Sequence, residues 1–106
     1  MIRIVKNDFT SGGEYSELHT CYGFAVYHED GASLPKGAIS SFNAIAVLRN
    51  GLTRSVTVEF GIQSPTGDSS DHHNYSFPCL TMEQAKEIVD RAFWAEEQRY
   101  GLELYR

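Results

Sequence analysis

The sequence predicts an α+β fold, a small antiparallel sheet packed against a long C-terminal helix. Two observations carry this: residues 54–63 alternate apolar and polar side chains with period two, and residues 82–100 repeat apolar side chains with the helical period. The length is a third. A chain of 106 residues is near the size of one domain, so residues 1–106 are expected to share one core. Hydrophobic residues make up 42% of it, including six Tyr, six Phe and one Trp, which is sufficient apolar material for that core.

At the N-terminus, Ile2, Ile4 and Val5 begin a short strand with Arg3 alternating outward. Asn7 to Gly13 reads as a turn or loop, because Asn, Asp, Ser and paired Gly accept backbone conformations that a strand interior resists. Cys21 to His28 is a better strand. Tyr22, Phe24 and Val26 share one parity and Cys21, Gly23, Ala25 and Tyr27 the other, so both faces are mostly apolar and the strand is expected to be interior or covered.

Glu29 to Lys36 is a connection rich in Asp, Gly and Pro. Gly37 to Asn50 admits two readings: Ile39, Phe42, Ile45 and Ala46 fit a helical stripe, while Phe42, Ala44, Ala46 and Leu48 fit period two. Asn50-Gly51 favours the second without settling it: the pair supplies the positive φ angles of a two-residue type I′ hairpin between two apolar stretches, and a Gly also fits just beyond a helix C-terminus. Arg54 to Gln63 follows as the clearest strand, with Val56, Val58, Phe60 and Ile62 on one face. Ser64 to Asn74 is a polar loop, and Tyr75-Ser76-Phe77 forms a short strand that Pro78 ends or confines to an edge.

The helix is expected over Met82 to Tyr100. Thr81 is its N-cap and Gln84 completes a capping box, while Leu80 is placed to close against Ala85 as a hydrophobic staple. Gly101 is placed to end it, leaving Leu102, Leu104 and Tyr105 for a short strand or for packing against the core. At 100 degrees per residue, Ala85, Ile88, Val89, Ala92 and Phe93 form the buried stripe, with Met82 and Tyr100 at its edge. Glu96 falls on that apolar side, which requires a bend, fraying or a hydrogen-bonded partner.

Trp94 falls almost opposite the stripe, among Glu83, Glu87, Asp90, Glu97 and Gln98, with Lys86 and Arg91 toward the margins. A large rigid aromatic ringed by carboxylates is a recognition surface in outline: the indole anchors and the acids select a basic partner. Solvation of the face with i,i+4 support from Glu87-Arg91 and Lys86-Asp90, and cover of Trp94 by the tail or by a second copy, are the competing readings.

Fourteen Asp and Glu against nine Lys and Arg give a net charge of -5 with His neutral. That field repels a phosphate backbone or an anionic lipid surface, so direct nucleic-acid and membrane binding are disfavoured, and it suits a protein or ribonucleoprotein partner with a basic surface. MIRIVKNDF lacks the apolar run of a secretory signal, and no run reaches the roughly 18 apolar residues of a membrane span, so a cytoplasmic location is the expectation.

The chemical readings are thin. His72 and His73 beside Asp68 and Asp71 are the only dense set of metal-ligand types, but adjacent histidines in a polar loop do not make the one-face pair of H-E-x-x-H. Cys21 and Cys79 lack C-x-x-C spacing, and neither His19 nor another histidine is oriented toward them by spacing, so an activated thiolate has no support. The glycines assemble into no phosphate-binding motif. No catalytic residue, metal or cofactor is therefore expected.

A compact acidic domain with many aromatics and no catalytic motif is similar to small phage-encoded inhibitors of host defence, the anti-CRISPR-like proteins. The resemblance covers size and composition of the whole chain and rests on no motif. It implies a viral protein in the host cytoplasm that blocks a nucleic-acid-binding effector complex. The expectation is thus a non-enzymatic partner-binding protein; a small metal-binding protein or enzyme using His72 and His73, and a self-associating structural protein or homodimer, are the alternatives.

Overall fold

In a computed structural model, residues 2–12, 17–63, 75–79 and 81–104 are described. Five strands run β1 (Ile2–Gly12), β2 (Glu17–His28), β3 (Ile39–Arg49), β4 (Leu52–Ile62) and β5 (Tyr75–Pro78), followed by one helix, α1 (Met82–Leu104). The strands form a single antiparallel sheet in chain order. Together they make the α+β architecture of a meander with one helix on one face.

Residues 39–49 are a strand, and the turn explains why. Asn50 and Gly51 have φ of 52° and 78°, the two left-handed residues that a type I′ turn requires to match the twist of the flanking strands. Pro78 ends β5 at the sheet edge, where its missing N–H costs no ladder bond.

Two strand expectations are corrected. Asn7 to Gly12 is not a turn or loop but the second half of β1, paired residue for residue with Leu18 to Gly23. Pairing along the whole of β2 supplies the backbone partners that local propensity withholds. For the same reason β2 begins at Glu17 rather than Cys21. It is interior to the sheet, as its two apolar parities require.

The helix-facing side of the sheet is built on stacked aromatics. Phe24, Phe42 and Phe60 are directly opposite one another in the register, and Phe77 of β5, opposite Val58, stacks diagonally on Phe60. Successive ring centroids are 6.0, 5.6 and 5.7 Å apart with interplanar angles of 9°, 10° and 6°. Such cross-strand pairs fix register as well as adding contact. Phe93 of α1 meets Phe24 edge to face, with centroids 5.5 Å apart at 72°.

Small residues let the helix settle close. Ala44 and Ala46 of β3 and Ala85 of α1 are buried where helix and sheet cross, beside Val56, Val58 and Val89. Leu34 and Ala38, from the connection between β2 and β3, close one end of this core. Phe24 is 1% exposed, so its burial alone is worth roughly 3 kcal/mol.

The helix starts as its sequence requires. Thr81 Oγ1 accepts from the Gln84 N–H at 3.1 Å and Gln84 Oε1 accepts from the Thr81 N–H at 3.1 Å, a complete capping box. Leu80, the other half of the expected staple, lies outside the described residues. Its end differs: α1 runs through Gly101 to Leu104, so Gly101 is not a stop and residues 102–104 are helical rather than strand. Tyr105 lies outside the described residues.

The buried stripe is Met82, Ala85, Val89, Ala92, Phe93, Glu96 and Tyr100. Ile88 does not belong to it and is 41% exposed. It points toward the β5 side, where it borders a shallow groove with Pro78, Cys79 and Gln84 instead of the sheet centre. Glu96 is buried in an unbroken helix, with its carboxylate 3.9 Å from the Arg99 guanidinium.

Candidate docking face

Lys6, on the helix-facing parity of β1, braces α1 at one margin. Its ammonium donates to Asp90 Oδ1 and, at 3.0 Å, to the Tyr22 hydroxyl, which itself donates to Asp90 Oδ1 at 2.6 Å. The same ammonium lies 4.7 Å from the Phe93 ring centroid, within cation–π range. Lys86, one turn earlier, reaches over the Tyr22 ring at 5.4 Å. The hydrogen bonds from Lys6 and then Tyr22 hold the Asp90 carboxyl below its usual range, and the Asp90 bond raises Lys6.

Trp94, about 40° further round the helix than Asp90 and away from the buried stripe, is 63% exposed. A ring of that size left in solvent on a packed helix is the most conspicuous surface feature of α1. Glu83, Glu87, Glu97 and Gln98 are all exposed with it. The structure divides these acids. Glu87 pairs with Arg91 at 2.7 Å and Asp90 with Lys6, whereas Glu83 and Glu97 make no ion pair with a described residue. The negative charge beside the indole is thus carried chiefly by Glu97, three residues from it, while Glu83 lies three turns away, about 16 Å along the helix.

Lys6 and Tyr22 are positions bordering the candidate face that sequence reasoning missed. They lie 84 and 68 residues from Asp90, and only the sheet register brings them under the helix. The sole signal in the sequence was that Lys6 shares the parity of Ile2 and Ile4, which face the core.

The other face of the sheet carries no described element. Cys21 is there, 4% exposed, and burial followed by the charge of Glu59 pushes its thiol up, the reverse of an activated thiolate. His19 shares this face two residues away, but its Nε2 stands 3.8 Å from Glu17 Oε2. Cys79 is half-buried, its Sγ 3.5 Å from the Phe77 carbonyl oxygen, and both cysteines are free. His72, His73, Asp68 and Asp71 lie outside the described residues; among those described, no group of His, Cys, Asp and Glu is arranged to hold a metal. No described helix is long and apolar enough to cross a membrane.

Fold and face together define a small β-meander domain with one covering helix that presents a solvent-exposed indole. No protein-family model, characterised protein or solved structure matches this chain.

Proposed function

We propose that this protein is a binding module whose outward α1 face, centred on Trp94 with Glu97, Gln98, Glu83 and Glu87 around it, docks on a basic surface of a larger protein or ribonucleoprotein. The observation that carries the reading is the exposure of Trp94 on a helix already held by its buried stripe and braced by Lys6, Tyr22 and Asp90. A preformed anchor loses little conformational entropy on docking, and a burying pocket gains the area of a whole indole.

The net charge of -5 supports a basic partner and a salt-sensitive rate of approach. The more specific form is inhibition: an acidic, rigid face occupying a groove built for a nucleic acid blocks that groove without turning anything over. Location in the cytoplasm of the cell holding that target belongs to the same proposal.

The test is affinity recovery from a native lysate at low and moderate salt with the native chain, Trp94→Ala and Glu97→Lys. The recovered protein is then titrated against the native chain while emission from its single Trp is followed. Loss of recovery in both variants, with a blue shift on titration, supports the reading. Equal recovery by Trp94→Ala removes it.

A further inference from the structure

β1 is an edge strand, paired with β2 on one side and with no described element on the other. All eleven of its residues are in register with β2 without a bulge, and every residue from Lys6 to Gly12 is exposed. A long, regular, unpaired edge is a template for another strand, and proteins usually disarm it with Pro, a bulge, shortness or an isolated charge. β1 has none of the first three. Of its charges, Arg3, Lys6 and Asp8, Lys6 is already held by Asp90, and one particular pairing brings Asp8 opposite that lysine.

We propose that β1 pairs antiparallel with β1 of a second copy of this chain about a two-fold axis through Asn7. Antiparallel pairing of identical strands in one sheet requires an axis normal to the sheet, so opposed residues share a face and the axis falls on a residue. With the axis at Asn7, Lys6, whose ammonium already holds Asp90, stands opposite Asp8 of the second copy, so that it bridges two carboxylates, and this contact occurs twice. On the other face Val5 stands opposite Phe9, covering a ring that is 57% exposed in the single chain.

Neighbouring registers fail on charge. An axis at Lys6 or at Asp8 sets like charges against each other. An axis at Val5 or Phe9 faces Lys6 with Ile4 or Asp8 with Thr10, and leaves strand ends unmatched. Asn7 is also the midpoint of Ile2–Gly12, so this register alone pairs the strand over its full length.

The dimer joins two five-stranded sheets into one continuous sheet. Because the axis is normal to it, both copies of α1 lie on the same side, and two Trp94 rings are presented in one direction. The inference goes beyond the docking proposal and does not depend on it, since Trp94→Ala leaves the β1 edge intact.

Light scattering of the native chain is expected to give twice the 11.9 kDa chain mass as concentration rises into the high micromolar range. Asp8→Lys, a change at an exposed side chain, opposes Lys6 with a second lysine and is expected to weaken the dimer by about tenfold or more, equivalent to about 1.4 kcal/mol. Register is read separately by oxidation: Asn7→Cys gives a disulfide-linked dimer on a non-reducing gel, whereas Thr10→Cys, displaced by several residues from its copy, does not. A native chain that stays at single-chain mass overturns the inference, as does a dimer indifferent to Asp8→Lys or one that cross-links as readily through Thr10→Cys. In the last two cases the copies associate through another surface.

Discussion

The Tyr22 hydroxyl donates to Asp90 Oδ1 at 2.6 Å, joining the second strand to the middle of the C-terminal helix. This contact braces the margin of the helix next to its outer face. Asp90 stands at the margin of the buried stripe with its charge matched by Lys6, and Trp94, four residues on, lies about 40° further round the helix toward solvent. The rotation of the helix is set by apolar contact along its stripe, and this polar clasp braces it at one margin.

The clasp makes a pH prediction. Asp90 has its carboxyl held below 3.8, so its contribution is fully present above the unfolded value and disappears as pH falls through the lower folded value. Lys6 is raised above 10.5, so its contribution is present below that value and is lost as pH rises through the higher folded one. Both side chains are more than a third exposed, so solvent screening limits the pair to about 0.5–1 kcal/mol. Urea denaturation of native and Asp90→Asn proteins is expected to show that difference near neutral pH, shrinking toward zero below about pH 4. A difference that persists at low pH contradicts the assignment.

Removing the cap has a cleaner expected cost. Thr81→Ala deletes the acceptor for the Gln84 N–H and is expected to destabilise by about 1 kcal/mol, or a fall of about 4 °C in Tm. Thr81→Asp, which keeps an acceptor at the helix N-terminus, is expected to restore most of the loss. Thermal melts followed by circular dichroism measure both.

The capping box and the alternation of β4 were legible because each is settled by residues within a few positions of one another, whereas Asn50-Gly51 favoured the hairpin and still left residues 37–50 open between strand and helix. What was not legible depends on distant pairing. Asn7 to Gly12 carries turn-forming residues and becomes a strand because β2 lies beside it. Ile88 fits the apolar period, yet it falls toward the four-residue β5, where the sheet offers less cover. Trp94 was readable from the helical period alone. The partners that brace its helix, Lys6 and Tyr22, were not, since no local pattern links positions so far apart in the chain.

Gly23 is expected to be among the least replaceable positions of the sheet. A Cβ there would lie 2.4 Å from the Phe42 carbonyl oxygen and 2.1 Å from Asn43 Oδ1. The side chain can swing away but the backbone cannot, so Gly23→Ala is expected to cost about 3 kcal/mol, at the upper end of overpacking. Asn43→Ala in the same chain should recover only part of it. Gly12→Ala, whose Cβ meets nothing within 4 Å, serves as the control and should change stability by less than about 0.5 kcal/mol. Denaturant midpoints for the three variants decide whether the crowding is real.

Trp94 separates stability from docking. Its ring is mostly in solvent and Ala is the better helix former, so Trp94→Ala is expected to change folding stability by less than about 0.5 kcal/mol. Phe93→Ala, one residue earlier, removes the edge contact with Phe24 and the ring under Lys6, and is expected to cost about 3 kcal/mol. If the outward face docks, the ordering reverses for partner affinity measured on folded protein: Trp94→Ala should lose at least about tenfold, near 1.4 kcal/mol, as expected of a central aromatic anchor. Glu97→Lys should lose affinity most at low salt, because its effect is on a charge that salt screens. An indole whose removal alters neither folding nor affinity would be a solvent-exposed residue without a docking role.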